Sequence, residues 1–427
     1  MLCAKLVFCT YISTSFSKKL AELQYIDFLA SQDLPSQACA HLNEDKTLPQ
    51  TWCKDEQLAR IHVPWGGSPR QLRLMPGLLR REAAALLRLS KTLEPSAELD
   101  SVDRQPSHEI ILMFKQQLHP HFSSEVRQVL EPVQRKLLPY IQFRYKCKEC
   151  VICTVFLRHY KTKDGRRKHP LHFDQNAYIT AVVGLNPEEF SGGLYVQEGE
   201  DAKSRHYIRL ARGDVLLHQF DVRHGVQVQS GERHSAVFWI KDDAQSCSAN
   251  TSPWYLKSAR TGDADAQVNI ARMYRKGEGG VTKNLSAAFK WYSQAAVHGH
   301  PVAEYYLARL LHDNNSLPQN DSAALHWAKR AAENGHAGAQ VLFGAMLEEG
   351  KGGAVGGAAA AEPWYLRSAK QENPWGMYSI GRVYLLGTGG VARKFKAGKR
   401  WISKAAAAGY HSAKVLQEQL ATMGGEL

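Results

Sequence analysis

The chain has 427 residues, 44% of them hydrophobic and 22% charged, with a formal net charge of +13. That length accommodates two or three domains, each able to bury a core, and the composition is that of a globular rather than a disordered or collagen-like protein. No run of 18 apolar residues occurs, which argues against a membrane-spanning helix, and eight cysteines are too few for a dense disulfide framework.

The chain opens with MLCAKLVFCTYIS, interrupted by Lys5 and Thr10, which is too short and too polar for a convincing secretory signal. Localisation stays open on this ground, with cytoplasm or nucleus favoured over the secretory pathway. Residues 1–75 form an N-terminal region of unknown role, and its first 60 residues carry no readable motif. The stretch 19–107 reads as mainly helical and loop-like, with REAAALLRLSKTL (81–93) an amphipathic helix. A second helical phrase, SSEVRQVLEPVQRKLLPYIQ, covers 123–142. In CKECVIC, Cys147, Cys150 and Cys153 look like half a zinc site, but no second ligand pair follows. Core or near-surface thiols are the expected state. Short β-rich runs then alternate with Gly, Asn and Asp turns up to residue 243, which predicts a sandwich or barrel.

The chemistry-bearing residues lie in this β-rich stretch. Among 18 histidines, only His172 is followed two residues later by Asp, in HPLHFDQNAYI. On a strand, residues two apart share a face, so His172 and Asp174 would aim into one cavity. Two histidines and one carboxylate on one face of a metal leave open positions for cosubstrate and oxygen, the facial triad of non-haem iron(II) oxygenases. A third ligand has to come from a later strand, with His206, His218, His224 and His234 as candidates. In RHGVQVQSGERHSAVFWI, a short strand containing His224 runs into a Ser-Gly turn and a second strand opened by Arg233. An inward-facing arginine in a barrel requires an anion, because an unpaired buried charge is costly. A carboxylate held in a bidentate contact, with Ser235 adding a hydroxyl, would meet that need.

Residues 140–243 resemble the catalytic domain of the prolyl 4-hydroxylase branch of iron/2-oxoglutarate dioxygenases. Tyr160 in FLRHY, YITAVVGLNP, FSGGLYV (190–196), GDVLLHQF (213–220) and HGVQVQSGER follow that family's order. The resemblance implies a double-stranded β-helix (jelly-roll) domain over 76–243, with a strand core at about 140–243. It implies His172, Asp174 and His224 as iron(II) ligands. Arg233 would then anchor 2-oxoglutarate, nine residues after the last ligand as in hypoxia-type prolyl hydroxylases, with Ser235 and Tyr160 beside it. Dioxygen as cosubstrate, ascorbate as reductant and a prolyl residue in a polypeptide as target follow from the same resemblance. Collagen-type relatives carry a lysine where Arg233 stands, and Gly184 occupies a position where some members place a tyrosine. His218 stands where relatives carry an aromatic residue and reads as a core or supporting residue. The basic loop KTKDGRRK (161–168) reads as solvated.

AQSCSANTS, at 244–252, is small and polar and reads as a linker, with residues 244–251 assigned to it. Beyond it, Trp254, Trp291, Trp327, Trp364 and Trp401 recur every 36–37 residues, each opening an alanine-rich helical phrase usually followed by a glycine-centred turn. Glycine-rich loops, GEGG (277–280) and GTGG (387–390), separate the helix pairs. Such copies bury a continuous core only by stacking. They resemble Sel-type repeats, longer relatives of tetratricopeptide repeats, over 252–427, which implies an all-α solenoid that grips a protein partner. Two departures are HDNNSLPQN (312–320), which replaces a glycine loop, and Pro363, expected to be tolerated only in a first helical turn. Residues 252–427 carry 21 Lys/Arg against 13 Asp/Glu, with a basic cluster at 391–404. The cluster reads as a solvated face, and no nucleic-acid module is recognisable.

The expected architecture is thus multidomain α+β, an oxygenase domain with flanking helices followed by a helical-repeat solenoid. The rival reading is a catalytically idle oxygenase fold serving as a repeat-based adaptor. A third keeps the enzyme but moves its target to another side chain or an N-methyl group.

Overall fold

The computed structural model describes residues 29–30, 57–61, 64, 70–95, 107–120, 123–163, 166–199, 204–313, 318–387 and 389–422. They form two compact units that divide between Trp254 and Tyr255.

In the first unit the strands are β1 (Leu29–Ala30), β2 (Gln57–Ile61), β3 (Arg70–Met75), β4 (Glu109–Phe114), β5 (Gln117–Leu118) and β6 (Val151–Lys161). They continue with β7 (Lys168–His172), β8 (Ile179–Gly184), β9 (Phe190–Gln197), β10 (Arg205–Tyr207), β11 (Val215–Gln219) and β12 (His224–Lys241). A larger antiparallel sheet has the order β1-β2-β3-β11-β8-β12-β6-β4-β5, and a smaller one has β10-β9-β12-β7. Strand β12 belongs to both. Its first half pairs with β7 and β9, its second with β6 and β8.

The Ser-Gly pair expected to be a turn therefore lies inside one 18-residue strand. Register with β9 shifts between Val228 and Ser230, and Gly231 adopts φ +79°. A Cβ on Gly231 would come within 1.9 Å of the Glu189 carbonyl oxygen, so only glycine fits. The pair works as a bulge that bends the strand from one sheet into the other.

Strand alternation sorts the larger sheet's two faces. Val155 and Leu157 of β6, Ile179, Ala181 and Val183 of β8, and Ala236, Phe238 and Ile240 of β12 meet α1 (Ala83–Thr92) and α2 (Ser123–Arg144) in one buried core. The helix predicted at 81–93 is α1, which buries Ala83, Leu86 and Leu89. Strands β2 and β3 lie in a stretch expected to be helix and loop; RQLRLM alternates, but so short a run between Pro69 and Pro76 reads as loop.

The cysteine and linker expectations need correcting. Cys147 bonds Cys150, and Cys153 of β6 bonds Cys247. Cys247 lies in α3 (Ala244–Ala249), a helix where a linker was expected, N-capped by the Asp243 carboxylate accepting from Ser246 N–H. A separation of 94 residues leaves no local spacing signal for the second bridge. Closing so long a loop restricts the unfolded chain by about 4.6 kcal/mol in the chain-entropy model. The Cys153→Ser/Cys247→Ser protein is expected to melt several degrees lower, and a reductant should bring the parent protein down similarly. An unchanged melting temperature under reduction would contradict this.

The second unit is all helix: α4 (Pro253–Arg260), α5 (Ala264–Lys276), α6 (Leu285–Val297), α7 (Pro301–His312), α8 (Asp321–Glu333), α9 (Ala337–Glu349), α10 (Gly357–Lys370), α11 (Pro374–Leu386), α12 (Phe395–Ala407) and α13 (His411–Thr422). The helix α4 begins two residues before Tyr255. Three of the five repeated tryptophans carry a cation three residues on, one helical turn away: Arg330 over Trp327, Arg367 over Trp364 and Lys404 over Trp401, at 4.5–4.9 Å. Pro363, expected only in a first turn, sits inside α10 with its ring exposed to solvent. Helix-closing glycines Gly262, Gly299, Gly335 and Gly409 all have φ between +75° and +93°. In the fourth copy that position is Glu372, held at φ +59°. A non-glycine residue pays about 1 kcal/mol for this backbone. Glu372→Gly is expected to raise array stability by about that amount in urea unfolding; a loss of stability would refute the strain.

Candidate functional site

The two sheets face one another across a pocket lined by both. From the larger sheet come Phe156, Arg158 and Tyr160 of β6, Thr180 and Val182 of β8, and Arg233, Ser235 and Val237 of β12. The smaller sheet supplies His169 and His172, Leu194, His224 and Val226.

His172 closes β7 and His224 opens β12, and the two are direct antiparallel partners. Asp174 lies just beyond β7, so strand alternation does not aim it, contrary to expectation. It is aimed instead by Thr180, whose hydroxyl donates to Oδ2 at 2.7 Å. His172 Nε2 lies 3.5 Å from Asp174 Oδ1, and His224 Nε2 lies 3.5 Å from Oδ2. The three donor atoms all fall within 4.8 Å of one another. Each ring is turned by its other nitrogen: Nδ1 of His172 meets Pro170 O at 2.9 Å, and Nδ1 of His224 meets Val222 O at 3.1 Å. A carbonyl can only accept, so each Nδ1 carries the proton and each Nε2 presents a lone pair.

Electrostatics agree. Burial pushes the His224 imidazolium well below its ordinary range, against the pull of Asp174. Burial alone would raise the Asp174 carboxyl, but His224, His172 and His218 together hold it well below the usual carboxylate range. Two imidazoles and one carboxylate form the donor set that suits iron(II) with positions left for other ligands. The residues present therefore fit such an ion.

Of the other candidate histidines, His218 joins the cluster, buried, with Nε2 3.7 Å from Asp174 Oδ2 and its Nδ1 on Gln219 O. His206 lies on β10 beside Glu198, outside the pocket, and His234 points to the opposite face of the sheet. Arg233 is 4% exposed, and its Nη1 donates to Ser235 Oγ at 3.0 Å. No carboxylate among the described residues pairs with it, and burial lowers its pKa to about 10. Tyr160 is fully buried, its ring 5.7 Å from the Arg233 guanidinium and its hydroxyl accepting from Arg158 Nη1. Sequence reasoning missed Thr180 and Arg158. For Thr180 a signal existed, since a threonine at an inward position of β8 faces the pocket. Thr180→Val removes the hydroxyl that orients Asp174 and should weaken binding of a divalent metal about 10- to 100-fold in a titration. An unchanged affinity would show that Thr180 does not orient the carboxylate.

The Sel1 repeat family matches residues 264–300, 301–336 and 376–410, so the second unit is an array of Sel1 repeats. No curated protein matches the chain. Among solved structures, a Sel1 repeat protein from Oxalobacter formigenes is 28% identical over 37% of this chain, with a TM-score of 0.35; the chain spans 62% of that protein. A viral collagen prolyl hydroxylase of Paramecium Bursaria Chlorella virus-1 is 16% identical, covering 40% of this chain and 94% of that one, with a TM-score of 0.29. A prolyl hydroxylase from Trichoplax adhaerens is 15% identical over 40% of this chain and 83% of that one, with a TM-score of 0.31. No helix among the described residues is long and apolar enough to cross a membrane.

Proposed function

We propose that residues 76–243 form an iron(II)- and 2-oxoglutarate-dependent dioxygenase, wound as a double-stranded β-helix, that hydroxylates a peptidyl residue. The observation that carries this reading is a buried arginine without a counter-ion among the described residues, sharing one pocket with a two-histidine, one-carboxylate cluster. When bound, iron(II) and 2-oxoglutarate would supply the oxidation together with dioxygen: one atom of O2 enters a substrate C–H bond, and the other ends in the succinate formed as the cosubstrate loses carbon dioxide.

The chain's own residues bind, orient and exclude water. His172, Asp174 and His224 hold one face of the ion, and the backbone carbonyls of Pro170 and Val222 fix their tautomers. Arg233 takes the distal carboxylate of the cosubstrate, replacing solvation lost on burial with a charge-assisted fork; Ser235 adds a hydroxyl, and Tyr160 borders the same end. Phe156, Val182, Leu194, Val226 and Val237 give the pocket apolar walls. Proline is the first candidate target and ascorbate the reductant. The Sel1 repeats bind a protein partner and so raise the local concentration of the polypeptide to be modified.

The test is succinate release by the full chain with iron(II), 2-oxoglutarate and ascorbate, with and without candidate peptides. Turnover above that of His172→Ala, with a one-oxygen mass gain on peptidyl proline, supports the reading. Equal release by both proteins rejects the enzyme and leaves the adaptor reading.

A further inference from the structure

We propose that His159, Glu232 and His234 form a second metal site, for a zinc-class divalent cation, on the outer face of the larger sheet.

Alternation places these residues. On β12, Arg233 and Ser235 line the pocket, so Glu232 and His234 point the other way. On β6, Arg158 and Tyr160 line the pocket, so His159 also points outward. His159 and His234 are direct antiparallel partners, and Glu232 precedes His234 by two residues on the same face. Their donor atoms all lie within 4.8 Å of one another, with His159 Nε2 3.0 Å from Glu232 Oε2. The pocket cluster obeys the same arrangement: a histidine and a carboxylate two apart in sequence, and a second histidine directly across the ladder. One long strand thus contributes to two such clusters, on opposite faces.

A separate observation points to a ligand. His234 is 3% exposed, and its Nδ1 lies 2.7 Å from Ser90 Oγ of α1, which fixes the ring. Its Nε2 has no hydrogen-bond partner among the described residues. An imidazole on a buried side chain, its Nδ1 fixed by Ser90 and its Nε2 turned toward a second imidazole and a carboxylate, has the setting of a ligand. Burial, the largest influence on both imidazoles, lowers their pKa values, that of His234 to about 4.

The donor chemistry selects the ion. Two imidazole nitrogens with one carboxylate oxygen suit zinc and its borderline neighbours, with the remaining position left to water. Glu232 is half-exposed, so the ion arrives from solvent without opening the fold. The two rings are stacked, centroids 4.0 Å apart and planes at 18°, so His159 has to turn about its side-chain bonds to share an ion with His234. Lys161 Nζ, 3.8 Å from Glu232 Oε2, is a surface partner that yields the carboxylate at little cost. An ion held there ties β6 to β12 directly behind Tyr160 and Arg233.

The experiment is equilibrium dialysis of the full chain against zinc ion alone. In the Asp174→Ala background, which lacks the pocket carboxylate, the chain is expected to bind one equivalent more than the same background carrying His159→Ala and Glu232→Gln. Zinc held elsewhere on the chain cancels in this difference. Both added positions are solvent-accessible, and matching circular dichroism spectra verify the fold. Equal stoichiometry in the two proteins overturns the proposal.

Discussion

Alanine at position 174 is expected to abolish iron(II) binding in the pocket and to reduce 2-oxoglutarate turnover to background. Asp174 is the one carboxylate in the cluster, and it stands against three histidines, His172, His218 and His224. Removing a group that merely orients a ligand typically lowers metal affinity about 10- to 100-fold, so losing the anionic ligand itself should exceed about 100-fold. The fold should survive. A desolvated carboxylate is removed, at the cost of the Thr180 hydroxyl's acceptor, roughly 1–3 kcal/mol, and of the carboxylate's contacts with the three histidines. Titration with manganese(II), followed by the magnetic resonance signal of the free ion, measures the affinity directly. Retention of affinity within a few-fold would remove Asp174 from the ligand set.

Arg233→Met should move stability and cosubstrate binding in opposite directions. The guanidinium is buried without a counter-ion among the described residues, so the cosubstrate-free fold bears the desolvation of a lone cation. Methionine has comparable length and no charge. Thermal stability without 2-oxoglutarate is expected to hold or to rise by roughly 1–3 kcal/mol. Affinity for 2-oxoglutarate should fall by about 2–5 kcal/mol, from roughly 30-fold to a few thousand-fold. Arg233→Lys keeps the charge but loses the fork geometry and should fall between. A destabilised Arg233→Met protein with unchanged 2-oxoglutarate binding would make Arg233 a structural residue.

Which features were legible in the sequence follows from the range over which each is encoded. The repeat array is written locally, in tryptophans 36–37 residues apart and glycines that close the helix turn in four of the five copies, and three copies match the Sel1 family. His172 and Asp174 are paired by spacing and His224 is added by the family resemblance, and the donor atoms of the three lie within 4.8 Å of one another. The way Asp174 is aimed was not anticipated: its orientation depends on a hydroxyl six residues on, on another strand. The continuity of β12 was also missed, because a serine-glycine pair inside a strand and one at a hairpin read alike until the partner strands are known. The Cys153–Cys247 bridge was invisible for the same reason, since its partner comes from a helix 94 residues away. Strands β2 and β3 were hidden by their shortness, and β3 also by the prolines on either side of it.

The most direct test of the central claim is an anaerobic titration of the full chain with iron(II) and 2-oxoglutarate, followed by visible absorption. Iron(II) chelated by a 2-oxo acid gives a charge-transfer band that neither component shows alone. The parent chain should develop that band at one iron per chain. It should be absent in Asp174→Ala, need far more 2-oxoglutarate in Arg233→Met, and be unchanged in Glu232→Gln. A parent chain that shows no band, or an Asp174→Ala chain that shows it in full, would contradict the assignment of an iron and 2-oxoglutarate site to this pocket.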